Sequence, residues 1–190
     1  MMKSFKVGDV ETGVKSAEEP EFELEACRIQ DAVLLHEMYQ SSFETVRVRY
    51  PETIPYENYH SIRDVERALS NSGFTYFKVN VGGKSIGAIH LGLVEFGQIC
   101  RIRMFFMLPE YQNRGIGSAV LKRAEHALEP VKGWELCVLR DESRNRHFYE
   151  KSGYAVQNVI FTLRPGVHIV KYGKYRNGKN PEASLMALPP

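Results

Sequence analysis

Between Met107 and Gly117 the chain reads Met-Leu-Pro-Glu-Tyr-Gln-Asn-Arg-Gly-Ile-Gly, and the apolar pattern changes period across it. Before this stretch, Gln98 to Met107 is rich in Ile, Phe and Met, as a strand requires. After it, Ile116, Val120, Leu121, Ala124 and Leu128 recur at helical spacing, with Lys122, Arg123 and Glu125 between them, and Pro130 ends the helix. A strand that turns through glycines straight into a helix makes an anion site. The first helical N–H groups point outward without partners, the helix dipole adds positive potential, and glycine lets a phosphate approach the backbone. Arg114 adds a full charge. Two nucleotide-binding patterns are excluded: the third glycine of G-x-G-x-x-G would fall at Val120, and no G-x-x-x-x-G-K-[ST] occurs.

The rest of the chain frames that turn. Phe22, Leu24 and Ala26 alternate with Glu21, Glu23 and Glu25, a half-buried strand. Asp31 stands as an N-cap before Leu34, Leu35, Met38 and Tyr39, and predicts a helix to about Phe43. Pro51 and Pro55 interrupt the next segment, after which Ser61 and Asp64 form a capping-box pattern opening a second helix with Ile62, Val65 and Leu69 inward. Phe74 to Val81 and Lys84 to Val94 flank Gly82-Gly83, a two-residue hairpin linker, and Phe96-Gly97 returns the chain into the run at 98–107. Trp134 to Leu139 reads as a strand and Ser143 to Lys151 as a short helix closed by Gly153. Tyr154 to Val156 and Val167 to Tyr172 read as final strands. The layout is mixed α/β, with an N-terminal arm at 1–20, one domain at 21–175 and a C-terminal tail at 176–190.

Composition closes off several classes of function. The 190 residues are 43% hydrophobic and 25% charged, ordinary for a chain that buries a core. With 25 Lys+Arg against 23 Asp+Glu the net charge is +2, its basic excess lying in residues 164–190, so no nucleic-acid partner is expected. Apolar runs reach only about five residues, such as Met104 to Leu108, against roughly 20 for a bilayer span, so no membrane partner is expected either. No secretory h-region precedes Glu18 and Glu19, and a cytoplasmic location is the expectation. Cys27, Cys100 and Cys137 lack metal or disulfide spacing; they read as reduced thiols, and no metal is expected.

Gln112-Asn113-Arg114-Gly115-Ile116-Gly117, following Met107-Leu108-Pro109, resembles the [QR]-x-x-G-x-[GA] motif of the GNAT superfamily of N-acetyltransferases. Phe148-Tyr149-Glu150-Lys151-Ser152-Gly153-Tyr154 resembles the superfamily's second motif, F-Y-x-K-x-G-[FY]. The likeness is specific over about Gln98 to Val156 and covers roughly Glu21 to Tyr172 in element order. It implies a twisted, mostly antiparallel sheet flanked by helices, whose strand at 98–107 splays from the one at 134–139 and leaves room for the pantetheine of acetyl-CoA. On this resemblance Phe105, Phe106 and Met107 line the pantetheine. Gln112, Asn113, Arg114, Gly115, Ile116, Gly117 and Ser118 hold the pyrophosphate. Asn145, four residues before Tyr149 and so on the same helical face, reads either as a further cofactor contact or as a local cap.

Acetyl transfer to an amine needs a neutral nucleophile, donors for the oxyanion and a proton for the departing thiolate. The resemblance implies a backbone N–H near Met107 for the oxyanion and Tyr149 as general acid; the alternative for Tyr149 is a packing ring. Glu142 and Asn145 depart from the family's N-x-x-A-x-x-[FL]-Y helix pattern, and Arg101 occupies the position of a family glutamate that serves as base. Arg101 and Arg103 alternate onto one strand face with Phe105 and Met107, where they suit an acidic substrate; the alternative is two solvated arginines. His90 is a replacement base by reference pKa, or else a structural histidine. Glu95, Glu110 or a water chain are the other bases weighed, and Cys100 and Cys137 lack neighbours that would activate a thiol. The expected reaction is direct acetyl transfer from acetyl-CoA to a small-molecule or amino-acid-like amine, compatible with a homodimer. The acceptor-side segment is Ser42 to His60. The alternatives are a silent acyl-CoA-binding module and a protein N-terminal or lysine acetyltransferase.

Overall fold

Helices and strands follow one another in the order the periodicities require. The structure, a computed structural model, describes residues 20–50, 61–71, 73–128 and 131–176. The elements are β1 (Glu23–Ala26), α1 (Ala32–Arg49), α2 (Ile62–Leu69), β2 (Thr75–Val81), β3 (Lys84–Val94), β4 (Ile99–Met107), α3 (Ile116–Ala127), β5 (Gly133–Leu139), α4 (Ser143–Lys151), β6 (Ala155–Arg164) and β7 (Val167–Tyr175). Short 3-10 turns precede α1 and α3 at Ile29–Asp31 and Pro109–Tyr111. The strands form one sheet in the order β1-β2-β3-β4-β5-β7-β6. β1–β2, β2–β3, β5–β7 and β6–β7 pair antiparallel, and β4–β5 pairs parallel from Ile99↔Gly133 to Ile102↔Leu136 while β4 continues to Met107. This is the mixed α/β, mostly antiparallel architecture expected.

The backbone groups into two compact units, the described parts of Met1–Gly92 with Arg103–Ala127, and of Leu93–Ile102 with Leu128–Pro190. In the first, Ala32, Leu35, Met38 and Tyr39 of α1 and Val65 of α2 pack with Tyr76, Ala88 and Phe106 from the strands. The Tyr39 and Phe106 rings meet edge-on with centroids 6.0 Å apart. Ser61 and Asp64 form the capping box: the Asp64 N–H donates to Ser61 Oγ at 3.3 Å, and the Ser61 N–H donates back to the Asp64 carboxylate at 3.0 Å. In the second unit α4 lies on the face of β7 that carries Tyr172 and Lys174, which donate to Glu150 and to the Ser152 carbonyl at 2.7 and 3.0 Å. Gly153, at φ 87°, takes the left-handed position after the C-cap Ser152, as its placement requires.

Several local expectations are corrected. Asp31 precedes α1 without capping it; its carboxylate instead accepts the Arg28 N–H at 2.7 Å and the Lys78 ammonium at 2.9 Å. α1 runs six residues past Phe43 to Arg49, because extending a formed helix is easy even where the apolar stripe stops. Ser42 is therefore helical, and residues 51–60 of the expected acceptor-side segment lie outside the described residues, as do Pro130, most of the N-terminal arm and nearly all of the tail. Ile62 is 40% exposed and does not face inward. The last hairpin is longer than its pattern suggested, with β6 reaching Arg164 and β7 reaching Tyr175.

Candidate functional site

The turn after β4 has a geometry that suits an anion. Asn113 and Gly115 have φ of 59° and 79°, left-handed values that turn neighbouring N–H groups toward one side. The first α3 bond comes from the Ala119 N–H to the Gly115 carbonyl at 3.1 Å, so the N–H groups of Ile116, Gly117 and Ser118 precede the helical ladder and face outward. A Cβ at Gly115 would meet nothing within 4 Å, which leaves open space beside the backbone. Asn113, Arg114, Gly115 and Ser118 are exposed, and the Arg114 guanidinium lies 5.4 Å from the Tyr111 ring centroid. This arrangement fits a pyrophosphate.

The Gln112 side chain links this turn to the strand before it. Its Nε2 donates to the Met107 carbonyl at 2.7 Å, tying the turn to the end of β4. β4 is also tied to β3: the Leu108 N–H donates to the Ile86 carbonyl at 2.8 Å, and a Cβ on Gly87 would sit 2.7 Å from Met107 Sδ and 3.0 Å from its Cα. At Gly87 the β3 backbone thus lies close against the end of β4. Of the expected pantetheine residues, Phe106 is 5% exposed, its side chain packed in the α1 core, which leaves its backbone rather than its ring for the expected contact. Ile116 is likewise buried by its side chain. Phe105 lies on the opposite face of β4 and is half-buried.

Tyr149 sits on α4 with its ring edge-on to Phe148 and Tyr154, at centroid distances of 4.9 and 5.8 Å. It is buried, and burial pushes its phenol above the ordinary value, so it holds its proton throughout the neutral range. Asn145, one turn earlier, is exposed, whereas Glu142 before the helix is buried.

His90 does not suit the role of base. It stacks on Tyr76 with centroids 3.8 Å apart, on the sheet face that carries Ala88 into the α1 core. Burial and the Arg103 charge pull its pKa down to about 3, leaving a neutral ring with little affinity for an amine's proton. These surroundings favour a packed, structural His90. Arg103 lies over the Phe74 ring, 4.4 Å from its centroid, and Arg101 donates to Glu135 at 3.3 Å. The two arginines are therefore engaged differently, despite sharing one alternation.

Sequence reasoning missed the carboxylate at Glu135. Lys171 and Tyr175 also donate to it, at 2.8 and 2.7 Å. Burial alone would raise its pKa; the Lys171, Tyr175 and Arg101 contacts outweigh burial and hold it below the ordinary carboxyl value. The signal was present, since Glu135 is the one charged residue in a strand otherwise reading Gly-Trp-Leu-Cys-Val-Leu. Among the described residues no cluster of three or more His, Cys, Asp or Glu gathers as a metal site would, and no helix is long and apolar enough to cross a membrane. The thiols of Cys27 and Cys137 are pushed up by burial, to about 12 and about 11.

Residues 33–154, most of the chain, match the Acetyltransferase (GNAT) family. The chain belongs to the GNAT acetyltransferase family. A probable N-acetyltransferase of Mycobacterium tuberculosis is 28% identical over 116 residues, covering 58% of this chain and 66% of that protein. An uncharacterized protein of Bacillus subtilis is 24% identical over 91% of both chains. Among solved structures, the PaiA N-acetyltransferase of Thermoplasma acidophilum, in complex with coenzyme A, superposes with a TM-score of 0.65 at 22% identity, covering 82% of this chain and 99% of that one. At that identity the likeness to PaiA speaks for the fold; family membership makes this GNAT chain an acyltransferase.

Proposed function

We propose that this chain moves an acetyl group from acetyl-CoA directly to the primary amine of a small-molecule or amino-acid-like acceptor, in the cytoplasm. The observation that carries the reading is the cradle at residues 112–118, with left-handed Asn113 and Gly115 leading into the start of α3. When bound, acetyl-CoA supplies an activated thioester carbon. The backbone N–H groups of Ile116 to Ser118 and the Arg114 guanidinium hold its pyrophosphate. Gln112 and Gly87 keep the end of β4 in place, so that backbone near Met107 receives the charge developing on the carbonyl oxygen. Tyr149 gives its hydroxyl proton to the departing thiolate. The amine forms the new C–N bond as the C–S bond breaks, its excess proton passes to water, and water returns a proton to Tyr149.

Titration with acetyl-CoA by calorimetry tests the cofactor site, with desulfo-CoA alongside and Gly117→Glu as the blocked variant. Saturable binding that disappears in Gly117→Glu is the expected outcome. A folded wild type that binds neither compound would refute the cofactor site. A binding protein that releases no thiol with any acceptor of a broad amine panel would instead be a silent acyl-CoA-binding module.

A further inference from the structure

Arg101, Glu135, Lys171 and Tyr175 form a charged cluster on one face of β4, β5 and β7. The register sets Arg101 beside Glu135, and Lys171 beside Cys137 one pleat further along β5, so these side chains share a face. α4 bonds to the other face, through Tyr172 and Lys174. The Glu135 side chain is only 5% exposed, yet two cations and a hydroxyl converge on it. One carboxylate neutralises one cation, so within ion-pair distance the cluster keeps an excess positive charge. Glu95, in the turn before β4, acts electrostatically on Tyr175 and makes no ion pair among the described residues.

The donors also outnumber the acceptors. An ammonium has three N–H groups and a guanidinium five, and Lys171 and Arg101 each direct one to Glu135. The rest belong to side chains that are 16% and 32% exposed. The cluster is walled on one side by the Tyr175 ring, which lies flat over Gly133 and Gly173. A Cβ on Gly133 would come within 2.8 Å of Tyr175 Cε1, and one on Gly173 within 2.8 Å of its hydroxyl. The two glycines let the ring lie against the sheet with its hydroxyl on Glu135.

We propose that this cluster receives an anionic group, a carboxylate or a phosphate, carried by the acceptor, with Arg101 and Lys171 making the contact. The proposal rests on the acetyltransferase reading above. Glu135 is the positioning residue: it holds two mutually repelling cations side by side with donors to spare.

The test is calorimetric titration with a ladder of ω-acetamidoalkanoates of increasing length, their carboxamides and the matching ω-acetamidoalkyl phosphates, in saturating CoA, after acetyl-CoA binding has been measured. The expected result is one acid or phosphate bound about tenfold or more tightly than its neutral counterpart. The acid and phosphate series then identify which anion is taken. Lys171→Met should abolish the difference and Lys171→Arg keep it, with thermal melts confirming both variants folded. Equal affinity for charged and neutral ligands at every length in the wild type would overturn the proposal without any variant, as would a preference unchanged in Lys171→Met. An anion preference in a protein that does not bind acetyl-CoA would overturn the acceptor assignment together with the proposed function.

Discussion

At the scale of single residues, burial and charge partners decide what each candidate can do. Tyr149 and His90 both have rings in apolar surroundings, with opposite consequences: burial keeps the tyrosine protonated and the histidine unprotonated. A protonated phenol is a usable acid, whereas a histidine near 3 is a poor base. Tyr149→Phe should therefore lower turnover by about a hundredfold or more and leave acetyl-CoA affinity nearly unchanged, as steady-state rates beside calorimetry would show. Because burial raises the phenol, wild-type turnover should show no alkaline decline from this group below about pH 10. Glu135 is the complementary case. Its folded pKa is depressed, so its contribution to stability is complete above the ordinary carboxyl value of about 4.3 and is lost as pH falls through the depressed value. Glu135→Gln should cost about 3 kcal/mol near neutrality by leaving Arg101 and Lys171 without their anion. The gap to wild type should narrow in thermal melts at about pH 3; a gap independent of pH would show that packing, not charge, holds this cluster.

At the scale of elements, local chemistry was largely readable, and long-range contacts were not. The capping box of α2 follows from Ser61 and Asp64 alone, and Ser61→Ala should cost about 1 kcal/mol in chemical denaturation. The two-residue link Gly82-Gly83 has φ of 55° and 77°, the left-handed pair that a primed hairpin turn demands. Asp31 shows the limit: it has the residue type and position of a cap, but Lys78, 47 residues away, competes for its carboxylate. Gly87 carried no signal within a strand pattern, because its role is set by Phe106 and Met107 on the neighbouring strand. Gly87→Ala should destabilise by about 1–3 kcal/mol and weaken acetyl-CoA binding by displacing the end of β4. Unchanged denaturation midpoint and affinity would mean that β3 yields instead.

At the scale of the whole molecule, ligand binding and folding are linked. Acetyl-CoA at about a hundred times its dissociation constant should stabilise the folded chain by about 2.7 kcal/mol, raising the melting temperature by roughly 5–10 °C. The rise should vanish in Gly117→Glu, as scanning calorimetry would show. Element order, the strand-to-helix turn and the two family motifs were determined by the sequence itself, since caps, glycine conformations and hydrophobic period act over a few residues. The strand order was not: β7 lies between β5 and β6, and a period of two tells which residues share a face without telling which strand lies alongside. The partners of Arg101 and the environment of Glu135 were decided only by tertiary structure. Arg101 and Tyr175 reach Glu135 from 34 and 40 residues away, and an electrostatic environment belongs to whatever the folded sheet brings together.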